Sequence, residues 1–197
     1  MNGLRSSYKE NNYGNVFRAL ILAHQPKIVV ECGVLDGYST FHIAHAIRFN
    51  HARGLPMAEF YAYDLWEEYD YKHGEFEEVR EMLENQNLGE YVMLGEGDAF
   101  EVANAFENGS VDFLHMDISN NGDKLLKTLK VWGDKISDDG MIAFEGGSEE
   151  RDKVEWMVKY DFPSIREELI NNPNVTKKWF VQIFTTFPGL TLLWKKI

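Results

Sequence analysis

Residues 28–39 read Ile28-Val29-Val30-Glu31-Cys32-Gly33-Val34-Leu35-Asp36-Gly37-Tyr38-Ser39. Three β-branched side chains in a row make a buried strand, and an acid followed by glycines stops it. From Ser39 to Asn50, residues Ile43, Ala46 and Ile47 recur at helical spacing, so the glycine turn joins a strand to a helix. Upstream, residues 15–24 predict a helix that ends before Gln25-Pro26, because the residue preceding proline avoids the helical region. Downstream the alternation repeats. Strands are expected at 60–63 (closed by Asp64), 91–94, 111–116 and 141–144, with helices at 75–85, 99–106 and 122–136. Such alternation implies a parallel sheet covered on both faces.

The last part of the chain breaks the rhythm. Residues 149–172 read as helical with an interruption at Phe162-Pro163. Phe180 to Thr186, then Pro188-Gly189, then Leu190 to Trp194 predict two strands joined by a tight turn. The expected fold is therefore α/β: a doubly wound, Rossmann-like sheet of seven strands, mostly parallel, with a C-terminal antiparallel hairpin. One domain over residues 1–197 is expected, as the length favours one over two.

Composition narrows the partners. Twenty basic against thirty-two acidic residues give a net charge of −12, so duplex nucleic acid and anionic membranes would both be repelled. A small-molecule partner is expected instead. Cys32 is the sole cysteine, which excludes an internal disulfide and fits a reducing compartment. The opening residues MNGLRSSYKENNYG lack the apolar core of a signal peptide, and no apolar run reaches membrane-spanning length. A cytoplasmic location is the expectation.

In doubly wound sheets ligands bind at the carboxyl ends of the strands, where strand order reverses, and the loop after the first strand normally flanks that point. Here Gly33 and Gly37 let a ligand lie against bare backbone. The spacing is G-x-x-x-G, not the G-x-G-x-x-G of dinucleotide sites. Glu31 and Asp36 flank the turn and would repel a pyrophosphate, whereas an ammonium or sulfonium ligand would be attracted. NAD is disfavoured.

The pattern E-x-G-x-x-x-G-x-S, from Glu31 to Ser39 between a strand and a helix, resembles motif I of class I S-adenosylmethionine-dependent methyltransferases. The resemblance spans nearly the whole chain, since that family has the same alternation and terminal hairpin. It implies S-adenosyl-L-methionine as cofactor. It further implies that Asp64 holds the ribose hydroxyls, that Asp98 in Gly97-Asp98-Ala99 accepts from the adenine amino group, and that Trp66 stacks on adenine. Trp66 packing beneath segment 66–74 stands as the alternative, and Asp98 also suits an N-cap. VDFLHMD, ending at Asp117, resembles motif IV, and DDGMIAFEGG the motif of the fifth strand. Within the superfamily, HMDISNNGD resembles the small-molecule group related to macrocin O-methyltransferases and cephalosporin-hydroxylase-like proteins.

His115 and Asp117 share a face at the end of the fourth strand and are the catalytic candidates. A histidine there can deprotonate a hydroxyl at neutral pH, or can be a satisfied core residue. Metal-assisted O-methyltransferases place an Asp-Asn pair after strand five, where this chain has Glu145-Gly146. A divalent metal is thus not favoured, unless Asn120, Asn121 or Ser148 supplies the missing oxygen. His42, His45 and Cys32 are expected to be structural, and Tyr69, Tyr71 and His73 to form a lid over the acceptor. The expected reaction is methyl transfer to oxygen of a small acceptor. The N-P-P-Y type motif of nucleic-acid enzymes is replaced by Asp117-Ile118-Ser119-Asn120. A non-catalytic S-adenosylmethionine-binding domain and a metal-dependent oxidative relative on the same fold stay open as alternatives.

Overall fold

β1 (Ile28–Cys32), β2 (Glu59–Asp64) and β3 (Met93–Glu96) pair in parallel, because each is linked to the next by a crossover. The crossovers carry α2 (Tyr38–Ala52) and α3 (Phe76–Asn85), and α1 (Tyr13–His24) precedes them. The computed structural model describes residues 4–196. Val29, Val30 and Cys32 of β1 are wholly buried, as a strand covered on both faces requires. α1 buries Tyr13, Phe17 and Ile21, one stripe at four-residue spacing. Asn50 of α2 donates to the Ile21 carbonyl at 3.1 Å and ties the two helices together.

The second half contains β4 (Val111–Met116), α4 (Gly122–Trp132) and β5 (Ile136–Glu145). Four short helices follow, α5 (Glu149–Asp152), α6 (Glu155–Lys159), α7 (Ile165–Asn171) and α8 (Pro173–Thr176), and then β6 (Trp179–Phe184) and β7 (Leu190–Lys195). β4 and β5 are parallel, while β7 is antiparallel to both β5 and β6. The seven strands run in the order β3-β2-β1-β4-β5-β7-β6. This is the mostly parallel sheet with an antiparallel C-terminal hairpin that the sequence predicts. The chain divides into two compact units, the first ending at Val102 and the second beginning at Ala103.

Three elements depart from expectation. The helix expected at 99–106 is a turn followed by one 3-10 turn, Val102–Ala105. Asp98 causes it: Oδ1 accepts from Phe100 N at 2.8 Å and its carbonyl from Val102 N at 3.0 Å, closing a tight turn. β5 begins at Ile136, not Met141, and the helix before it stops at Trp132. Ile136 pairs with Val111, then the register shifts so that Met141 pairs with Phe113. The intervening Ser137-Asp138-Asp139-Gly140 is an irregularity whose polarity hides the strand. β3 lies two residues beyond the expected 91–94.

Candidate functional site

In the first unit the loop after β1 turns through three left-handed residues, Gly33 (φ 93°), Leu35 (φ 52°) and Gly37 (φ 77°). Asp64, at the end of β2, holds that turn. Its Oδ2 accepts from Val34 N at 2.6 Å and Leu35 N at 2.9 Å, and its Oδ1 from Trp66 N at 3.2 Å. A carboxylate has about four acceptor positions, so one is left for a ligand hydroxyl and not the two that a ribose pair would fill. Asp64 builds the loop before it can serve a ligand. Gly97 N extends the pattern by donating to the Asp64 carbonyl at 3.0 Å.

Other residues of the expected cofactor site are placed as follows. Glu31 is fully buried and accepts the Thr40 hydroxyl at 2.5 Å, fastening the first turn of α2 to β1. Ser39 lies buried in that same turn. Asp98 uses Oδ1 for Phe100 N and Glu101 N, and its Oδ2 takes no hydrogen bond among the described residues. The cap and an adenine contact can therefore coexist. Ala99 is buried, and its carbonyl lies 3.9 Å from Cys32 Sγ. Burial, with Glu31 adding to it, pushes the Cys32 thiol well up, which suits an inert filler.

Trp66 and Asp36 are both engaged within the protein. Trp66 is 2% exposed, donates Nε1 to the Gly95 carbonyl at 3.0 Å and packs edge-on to Phe76. The ring is enclosed by protein in this structure. Asp36 is clasped by Arg5, whose Nε and Nη2 reach both carboxylate oxygens at 2.6–3.1 Å and whose backbone N lies 2.7 Å from Oδ2. Burial pushes the Asp36 carboxyl up, but the Arg5 hydrogen bonds and charge outweigh it and hold the group below its usual range. Arg5 Nη2 also donates to the His73 carbonyl at 2.8 Å. Gly74 crosses the loop so closely that a Cβ would stand 1.8 Å from the Leu35 oxygen. The segment expected as a lid is pinned at His73 and Gly74, while Tyr71 is 76% exposed.

In the second unit, Met116 of β4 pairs with Phe144 of β5, and Asp117 and Glu145 are the next residues on each chain. Glu145 receives Arg151 bidentately, Nε to Oε1 at 2.6 Å and Nη2 to Oε2 at 3.1 Å. Arg151 Nη2 also donates to the Asn120 carbonyl at 3.0 Å, and its guanidinium lies 4.9 Å over the Trp156 ring. Burial and Asp117 push the Glu145 carboxyl up to about 7 against the pull of Arg151 and His115. His115 is wholly buried.

These donors do not suit a divalent metal. Both Glu145 oxygens face a guanidinium. Asn120 spends its amide on the Met116 and Glu145 carbonyls, Asn121 Oδ1 caps α4 at Lys124 N, and Ser148 Oγ caps α5 at Arg151 N. Among the described residues no group of three His, Cys, Asp or Glu side chains is arranged to hold a metal ion. The sequence reading missed Arg5, Gly74 and Arg151. The two arginines carried no periodic signal, and Gly74 was visible only as an isolated glycine.

The sequence profile of a methyltransferase-domain family matches residues 30–145. No curated protein matches the chain. Among solved structures, a methyltransferase from Geobacter sulfurreducens is similar at TM-score 0.66 and 18% identity, over 96% of this chain and 84% of its own. The methyltransferase PaMTH1 of Podospora anserina, bound to SAH (S-adenosylhomocysteine), is similar at TM-score 0.69 and 18% identity, over 93% of this chain and 78% of its own. An O-methyltransferase from Bacillus cereus in complex with SAH gives TM-score 0.66 and 16% identity, over 98% and 84%. At such identities the likeness is one of fold. Among the described residues no helix is long and apolar enough to cross a membrane.

Proposed function

We propose, because the chain belongs to the methyltransferase-domain family, that it moves a methyl group from S-adenosyl-L-methionine to an oxygen of a small acceptor. The matched segment runs from β1 to the end of β5, so it includes the glycine loop, Asp64, Asp98 and the Asp117–Glu145 cluster. The observation that carries the reading is the loop: Gly33 and Gly37 take left-handed conformations, and one acceptor position of Asp64 and Oδ2 of Asp98 remain for a nucleoside. The resident S-adenosyl-L-methionine supplies an already activated methyl carbon when bound. The chain then has to align and to exclude water, which requires no nucleophile.

In this reading Gly33, Gly37 and Gly97 shape the turns beside the cofactor, with Val79 and Met82 packed against Gly37 and Val102 against Gly97, while Asp64 and Asp98 contact ribose and adenine. Glu31 and Ser39 set the first turn of α2, and Ala99 closes the pocket floor. Asp117, directly after β4, is the carboxylate this reading assigns to the cofactor or the reacting groups. His115, buried at the end of β4, remains with Asp117 a proposed catalytic residue. The acceptor is small and not nucleic acid, in keeping with the net charge of −12. Residues 1–197 act as one functional domain, and the single buried thiol suits the cytoplasm.

Titration calorimetry tests the cofactor. S-Adenosylhomocysteine is expected to bind, and NAD and NADP to give no heat. Binding of NAD in preference to S-adenosylhomocysteine overturns the proposal.

A further inference from the structure

β6 is an edge of the sheet, and its outer side pairs with no strand among the described residues. Its six residues, Trp179-Phe180-Val181-Gln182-Ile183-Phe184, include no charge, no proline and no glycine. All six keep register with β7, so no bulge twists the edge away. Native sheets blunt a bare edge with such devices, because its unpaired N–H and C=O groups recruit other strands. The edge at β3 shows the contrast, since that strand has four residues and ends in Glu96. β6 carries no such protection.

The strand alternates in a way that a copy of itself would match. Phe180, Gln182 and Phe184 form its exposed face, with Phe180 60% and Phe184 37% exposed. Val181 and Ile183, on the other face, are half-buried. A two-fold pairing has to centre on a residue, since a slip by one exchanges the faces. Centred on Gln182, an antiparallel pair sets Phe180 opposite Phe184 twice and Gln182 opposite its own copy. Both phenylalanine pairs are then cross-strand aromatic contacts, and the two glutamine amides exchange hydrogen bonds.

Charge selects the same partner and the same direction. Residues 177–196 hold four lysines, Lys177, Lys178, Lys195 and Lys196, and none of the thirty-two acidic residues. Two copies at a net charge of −12 repel over most of their surface, and a stretch without acids is where they can approach. The four lysines stand at one end of the hairpin, where Lys196 N donates to the Lys178 carbonyl at 2.8 Å and Lys195 pairs with Trp179. At the other end Ser148 donates to the Pro188 carbonyl at 3.0 Å, which brings the exposed Glu149 and Glu150 beside the turn. Glu149 lies 3.7 Å from Lys153 and 4.0 Å from Arg166, while Glu150 has no ion pair among the described residues. An antiparallel pair centred on Gln182 sets Lys178 opposite Thr186, so each lysine end meets the acidic end of the other copy. A parallel pair would set lysines against lysines.

We propose that two copies of this chain associate through antiparallel pairing of β6 with β6, centred on Gln182, so that their sheets join edge to edge. Each copy contributes the same patch, so the contact closes on itself and stops at two. The contact is independent of the methyl-transfer reading.

Sedimentation velocity of the full chain, from about 1 to 100 µM, tests it. Wild type is expected to form a dimer as concentration rises. Gln182→Lys and Gln182→Glu each put like charges face to face across the two-fold, and each is expected to weaken the dimer roughly 3- to 10-fold. Gln182 is exposed, so both variants are expected to keep the wild-type far-UV circular dichroism. An equimolar mixture of the two variants is expected to recover the dimer, with native mass spectrometry showing one copy of each. A monomer throughout the range overturns the proposal. So does a dimer that neither variant weakens, a mixture no stronger than either variant alone, or association that continues past two.

Discussion

Asp64 shows how one carboxylate can serve a site indirectly. Two backbone amides of the loop after β1 converge on its Oδ2, and a third reaches Oδ1. Removing it frees Val34 N and Leu35 N and relaxes a turn that already contains a non-glycine residue at φ 52°. Asp64→Ala is expected to weaken S-adenosylhomocysteine binding by roughly 10- to 100-fold, since hydrogen bonds to a charged group contribute about 1.5–3 kcal/mol. It is also expected to lower the melting temperature of ligand-free protein, because the loop loses its anchor. A dissociation constant equal to that of wild type in calorimetry would remove Asp64 from the site. Position at the end of a strand made Asp64 and Asp117 legible in the sequence. Arg5 and Arg151 were not, because their roles depend on contacts that no local pattern encodes. Asp36 lies 31 residues from Arg5, and Arg151 reaches Glu145 only because two glycines reverse the chain between them.

At the level of elements, α1 and α2 meet at a histidine that has no hydrogen-bond partner among the described residues. Both ring nitrogens of His42 are buried without hydrogen bonds, and a Cβ on Gly14 of α1 would fall 2.2 Å from Nε2. Burial, with Arg18 and His45 adding to it, lowers the His42 pKa from 6.5 to about 4. The unfolded chain therefore takes up this proton at a higher pH than the folded one. Stability from His42 is fully present above about pH 6.5 and is lost as pH falls from there toward 4. His42→Leu is expected to shrink the loss of stability between pH 7 and pH 5 by about 2 kcal/mol in urea unfolding. Parallel pH dependence in the two proteins would contradict this. The apolar runs of β1, β2 and β4 were readable because strands covered on both faces are continuous in hydrophobicity. The 3-10 turn at Val102–Ala105 and the early start of β5 were not, since side-chain hydrogen bonding and a register shift override periodicity there.

For the molecule as a whole, charge sets the company it keeps. A net charge of −12 opposes any sequence-independent attraction to phosphate backbones, which supplies most non-specific nucleic-acid affinity. The protein is expected to pass through a heparin column at 50 mM salt and to leave duplex DNA and single-stranded RNA unshifted in gels. Retention that weakens with added salt would reveal a basic surface and reopen the choice of acceptor. The mostly parallel sheet was readable from the alternation and its antiparallel end from the terminal hairpin, whereas the strand order and the division into two compact units were not.

The Arg5 clasp bears on how the protein should be handled at the bench. A residue near the start of the chain grips Asp36 in the glycine loop and the His73 carbonyl at the same time. A purification tag that pulls on this segment, or a protease that trims it, would loosen the loop without touching any residue that meets the acceptor. Preparations differing only in their leading residues would then disagree in ligand retention, and the disagreement would look like variable specific activity between batches.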